Sequence, residues 1–136
     1  MRARLPLFAA ALWWGSLTAI GFLAVPLLFA NASSPAVAGQ LAAKLFSGQT
    51  WMSLGCGFVL LMANRERPDA AVLAGMLLAL LVEFAVAPRI VARQNLALWH
   101  GVGSAMYLAQ WVCAFAVLWK CAAERARFNP AASSPT

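Results

Sequence analysis

Glu83 is the residue most out of place in this sequence. It interrupts an otherwise uncharged apolar run from Ala70 to Ala87. A carboxylate inside a bilayer is costly to insert, so it faces protein or a wet cavity and takes a partner. Arg89 and Arg93 follow it, His100 opens the next apolar run, and Lys44 and Gln49 fall at the same depth on another. Together with Tyr107 these residues define a polar layer, and two readings of it stand. In one, the layer binds or passes a small ion, proton, metal or anion. Glu83 is then the acceptor or proton carrier, His100 a ligand or proton partner, and Arg89 an anion clamp. In the other, Glu83 and Arg89 or Arg93 form a charge clamp that pins two helices.

Metal and haem chemistry would run through His100, the single histidine. One histidine per chain excludes bis-histidine haem within a subunit. What is left is His–Met ligation with Met52, Met62, Met76 or Met106, or a soft-metal site with a cysteine. Cys113 and Cys121 lie deeper than His100 or on the other side. With Cys56 they form no Cys-x-x-Cys pair and read as small packing residues. The sequence contains no P-loop, no Gly-x-Ser-x-Gly elbow, no His-Glu-x-x-His and no carboxylate pair at hydrolase spacing. The expectation is a protein that is not an enzyme and carries no cofactor, with metal or haem as the exception to test.

At the 3.6 period, His100, Gly103, Ser104, Tyr107, Gln110 and Trp111 share one helix face. Gln49, Ser53, Cys56 and Gly57 make a similar stripe, as do Trp14, Thr18 and Gly21. Small and polar stripes of this kind let helices approach and hydrogen-bond to each other inside a membrane.

The elements that must hold these residues follow from composition. Of 136 residues, 63% are hydrophobic and 10% charged, with a net charge of +6. A soluble domain carries roughly 25% charged residues. That excludes a secreted enzyme, a nucleic-acid-binding domain and a disordered chain. Four apolar runs are each long enough to span, at 5–30, 45–63, 70–87 and 96–119. The fold class is therefore all-α, a four-transmembrane-helix bundle over residues 1–121. Pro26 should kink or unwind the first span near its far end. Ser33-Ser34-Pro35 reads as a helix start. Residues 35–46 then form either a short interfacial helix or the first turns of the second span. Trp99 and Trp119 sit 20 residues apart, about 30 Å of helix, one at each interface. Residues 122–136 read as a disordered tail.

Arg2, Arg4, Arg65, Arg67, Lys120, Arg125 and Arg127 share the side of the termini, against Lys44, Arg89 and Arg93 on the other. The positive-inside rule places both termini in the cytoplasm. Met1-Arg2-Ala3-Arg4, an apolar run and Ala30-Asn31-Ala32 also imitate a cleavable signal, although the run is longer than an ordinary signal core.

Pro26-Leu27-Leu28-Phe29, Ala38-Gly39 with Lys44-Leu45-Phe46, Pro88-Arg89-Ile90 and His100-Gly101 occur in that order on the four spans. In this the chain, over residues 7–121, resembles the transmembrane protein 205-like family, whose bacterial branch is a domain of unknown function. The resemblance implies a small four-helix protein of the bacterial inner membrane without assigned enzymatic activity. Animal relatives are associated with resistance to platinum drugs, which implies metal or drug handling. Those relatives carry a second histidine after Lys-Leu-Phe, where this chain reads Ser47-Gly48-Gln49-Thr50-Trp51. The general plan is also similar to copper-resistance four-helix membrane domains, in architecture alone.

Three functions are left to compare: an ion- or ligand-binding polar layer, a structural or assembly subunit, and a copper- or haem-handling protein. The partners expected are the lipid bilayer and a second copy or a larger membrane complex, not nucleic acid.

Overall fold

The computed structural model describes residues 4–128. Four helices account for nearly all of them: α1 Leu5–Asn31, α2 Pro35–Ala63, α3 Ala70–Val91 and α4 Leu96–Phe128. All four are long and apolar enough to cross a membrane. No strand is found among the described residues.

Local chemistry explains most of the helix ends. Pro6 lies in the first turn of α1, where its missing N–H costs nothing. Ser34 caps α2, its Oγ accepting from the Val37 N–H at 3.3 Å, with Pro35 as first helical residue. Asp69 caps α3 in the same way, accepting from the Ala71 N–H at 2.8 Å. Between α3 and α4, Arg93 and Asn95 turn the chain with φ of 54° and 38°.

Two boundaries differ from the sequence reading, and one alternative that it left open is decided. The stretch 35–46 is not a separate interfacial helix: α2 runs unbroken for 29 residues, because no proline or turn signal interrupts it after Pro35. Helix α3 passes through Pro88 and ends at Val91 rather than Ala87. Helix α4 continues beyond Trp119 to Phe128, so the expected tail is helical over 122–128. The rest of that tail, 129–136, lies outside the described residues, as does Arg2.

Consecutive helices pack side by side, α1 against α2 and α4, and α3 against the same two. This is an up-down-up-down bundle. Trp13 and Leu17 of α1 are fully buried at its centre with Cys56, Leu60, Val72, Ala114 and Val117 around them. Trp13 reaches across the diagonal to α3, where a methyl on Gly75 would lie 2.6 Å from its Cη2. Lipid tails are as apolar as these side chains, so close packing and interhelical hydrogen bonds hold the bundle together rather than a hydrophobic driving force.

Two helices widen near the end opposite the termini. Helix α1 forms a π-turn over Ile20–Ala24, and α3 over Val82–Val86. The Val25 N–H reaches back to Ile20 O, and the Ala87 N–H to Val82 O. Pro26 and Pro88 supply the reason. A helical proline offers no N–H, and its ring crowds the carbonyl four residues earlier. Those residues are Phe22 and Phe84, inside the two widened turns. The kink expected at Pro26 is thus taken up as a π-turn just before it.

Candidate functional site

Glu83 sits in the widened turn of α3 and is half-buried. Its Oε1 accepts a hydrogen bond from Ser47 Oγ of α2 at 2.7 Å. Ser47 opens the polar stretch Ser47-Gly48-Gln49-Thr50 of α2, whose pairing the sequence does not reveal. Among the described residues the single ion pair is Lys120–Asp69, at the other end of the bundle. Glu83 therefore has a neutral donor and no cation.

The other groups of the expected layer do not converge on it. The Arg89 guanidinium donates to Ala85 O on its own helix and lies over the Trp99 ring, 4.6 Å from the centroid. Lys44, Arg93 and His100 are exposed, and none has a side-chain hydrogen bond among the described residues. Depth along a helix places residues at one level of the membrane; it does not place them on one face.

Gln49 and Tyr107 belong to a second, deeper network. Buried Gln49 donates through Nε2 to Ser16 Oγ at 3.0 Å and to Ser53 Oγ at 3.3 Å. Gln110 Nε2 donates to the same Ser53 Oγ at 2.8 Å, and Ser53 donates to Gln49 O at 2.9 Å. This seam ties α1, α2 and α4 together, with Gln49 Oε1 buried and without a partner. Beside it, the Tyr107 hydroxyl donates to Leu17 O at 2.7 Å, and Trp111 Nε1 donates to Thr18 Oγ1 at 2.9 Å. Tyr107 comes this close because position 21 is glycine: a methyl there would lie 2.5 Å from Tyr107 Cε1. The Phe46 ring meets Tyr107 edge-on, with centroids 5.3 Å apart.

The small-residue stripes read from the sequence thus include the contact positions at Gly21, Ser53 and Gln110. Sequence reasoning missed Ser47 and Ser16. It also missed the Phe-x-x-x-Pro spacing, which occurs once in α1 and once in α3 and marks both π-turns.

Cys56 is buried, Cys113 and Cys121 are half-buried, and all three are free thiols. Among the described residues no three His, Cys, Asp or Glu side chains come together. At the end of the bundle that holds the termini, a cleft of about 340 Å³ is lined by Pro6, Asn64, Asp69, Lys120 and Glu124 among others. Burial alone would raise the Asp69 carboxyl. Hydrogen bonds from Lys120 and the Ala71 N–H, with the Lys120 charge, outweigh that and hold it below the ordinary carboxylate range.

Residues 8–99 match a family model described as Domain of unknown function (DUF4149). That region holds α1, α2, α3 and the start of α4, with Ser47 and Glu83 inside it. No curated protein and no solved structure matches the chain.

Proposed function

The chain belongs to the DUF4149 family, and for this integral membrane protein we propose a non-enzymatic role in which Glu83 takes up a small cation, a proton included. One observation carries the reading: an intramembrane carboxylate is bonded to a neutral serine hydroxyl and to no positive charge. A buried charge without a counter-charge is costly, and binding a proton or a cation removes that cost. An anion clamp has less support, because the Arg89 guanidinium is engaged by Ala85 O and Trp99.

The distribution of charge supports both termini in the cytoplasm of a bacterial inner membrane. Arg4, Arg65, Arg67, Lys120, Arg125 and Arg127 lie at the end of the termini, against Lys44, Arg89 and Arg93 at the other. Glu83 then faces the outer side. The test is unfolding of the purified protein in detergent across pH and across salts of different cations. Beyond the acid limb that Asp69 gives both proteins, wild type should respond to one of the two, and Glu83→Gln to neither. An equal response from Glu83→Gln would overturn the reading.

A second reading, a structural or assembly subunit, draws on the seam of Ser16, Gln49, Ser53 and Gln110, each of whose side chains donates within the bundle. It predicts a stoichiometric membrane partner that is retained on purification of Glu83→Gln. A copper- or haem-handling role, or the metal handling implied by the transmembrane protein 205-like resemblance, would rest on exposed His100 with donors from a second copy.

A further inference from the structure

The two hairpins of the bundle share a plan at an offset of 61 or 62 residues, with identical residues at Phe22 and Phe84, Pro26 and Pro88, and Gln49 and Gln110. Trp13 and Gly75, Leu17 and Ala79, Phe22 and Phe84, and Pro26 and Pro88 each stand 62 residues apart. Phe46 and Tyr107, Gln49 and Gln110, Ser53 and Ala114, and Cys56 and Val117 each stand 61 apart. Environments match as well: Leu17 and Ala79 are both buried, and so are both members of the last three pairs. Backbones match too. The Ile20 N–H bonds to Leu17 O and Ser16 O, the Val82 N–H to Ala79 O and Leu78 O, and a π-turn follows each. Equivalent residues meet at the centre, Trp13 against Gly75 and Phe46 against Tyr107. The hairpin α1–α2 is thus matched by α3–α4.

The match is partial: Thr18, which accepts from Trp111, has Leu80 as its counterpart, and the difference that brings in an acid lies at the second π-turn. At the first π-turn, Gly21 makes room for Tyr107, whose hydroxyl donates to Leu17 O. At the second, Gly21 is replaced by Glu83, and the counterpart of Tyr107 is Phe46, which has no hydroxyl. Among the described residues no side chain donates to Ala79 O, the counterpart of Leu17 O. Where the first half supplies a donor, the second supplies a carboxylate. Glu83 lies four residues after Ala79, and helical side chains lean over the preceding turn. Ser47 gives its proton to Glu83, so its oxygen lone pairs stay available.

We propose that the second π-turn is a site for a desolvated monovalent cation of about sodium size, held by the Glu83 carboxylate, Ser47 Oγ and the Ala79 carbonyl. The inference rests on the reading of Glu83 as the binding group given above. One carboxylate balances one positive charge, and the neutral oxygens replace water around a hard cation. A divalent ion would call for further acids, and no cluster of acids is formed among the described residues.

The test is thermal unfolding of the full chain in detergent, in sodium chloride against choline chloride at equal ionic strength and fixed pH. Sodium should raise the wild-type midpoint saturably, by roughly 2–5 °C. The rise should vanish in Glu83→Gln and shrink in Phe46→Tyr, which places a hydroxyl at the counterpart of Tyr107. If Glu83→Gln does not fold, Ser47→Ala serves instead, with its half-saturating sodium concentration raised severalfold. A midpoint that follows pH through Glu83 but ignores sodium would overturn the cation site and leave the proton reading of Glu83 standing. A midpoint indifferent to sodium, with the same pH dependence in wild type and Glu83→Gln, would overturn the two together. Unaltered sodium dependence in Ser47→Ala and Phe46→Tyr would overturn the proposed ligands.

Discussion

Gly75→Ala is a sharp probe of how this bundle is held together. The added methyl would lie 2.6 Å from Trp13 Cη2, 2.7 Å from Cζ2 and 3.4 Å from Cys113 Cβ. Trp13 is fully buried, so its ring can move aside only by displacing its neighbours. Overpacking of this kind costs about 1–3 kcal/mol. Better helix propensity returns up to about 1 kcal/mol. Burying the methyl returns little, because lipid is as apolar as the core. The net loss is about 1–2 kcal/mol, or roughly 4–8 °C in the unfolding midpoint for a chain of this size. Trp13→Phe removes both atoms that the methyl would strike, at the cost of a void worth about 1–2 kcal/mol. In the double variant the methyl partly fills that void. Its stability should then match Trp13→Phe alone, a favourable coupling of about 1–2 kcal/mol. Circular dichroism during heating in detergent micelles reads all four proteins without depending on tryptophan emission. An unchanged midpoint for Gly75→Ala would refute the crossing of Trp13 to α3, and so would strict additivity in the double variant.

Two further outcomes follow from the hydrogen bonds. Tyr107→Phe loses the bond to Leu17 O and should cost about 0.6 kcal/mol, up to about 1.7; Gly21→Ala should cost more, since its methyl would meet the Tyr107 ring at 2.5 Å, and unfolding midpoints of the two rank them. Asp69 has a folded pKa below its ordinary value, so its contribution is complete above about pH 4 and fades as pH falls through the folded value. With Lys120 more than half exposed, the pair is worth only about 0.2–1 kcal/mol, and Lys120→Met should flatten that acid limb of the stability curve.

The fold was legible in the sequence because each span is a long, mostly apolar run and two of the three connections between them are charged. Asn64 to Asp69 could only be a connection, whereas the basic stretch after Pro88 reads as one and is helical as far as Val91. The ends were harder to read. Ser34 and Pro35 mark a start that α2 honours, but nothing in Gln40 or Lys44 says whether a helix lies on a membrane or crosses it. Continuity past Ala122 was hidden for a related reason, since Ala122 to Arg127 is polar yet made of strong helix formers. For the site, the residue types stood out and the partners did not. Glu83 is conspicuous as a lone acid, yet arginines at its own depth tell nothing of their azimuth around the helix. Arg89 turns to Trp99, and a serine on the neighbouring helix takes the carboxylate. A serine is too common a residue to single out without the geometry.

The repeat explains why that serine matters. A bundle made of two equivalent hairpins would satisfy both π-turns in the same way, with a small residue in the widened turn and a hydroxyl from the facing helix. Tyr107 and Gly21 meet that condition in the first half. In the second half both partners are exchanged, phenylalanine for tyrosine and glutamate for glycine. A loss of the hydroxyl alone would be a small packing change. Its coincidence with an acid at the position a glycine holds in the other half is costly in a membrane, and packing gives no return for it. The asymmetry therefore marks a departure from what a structural bundle needs. It is there, rather than among the exposed charges around it, that a bound cation would find its ligands.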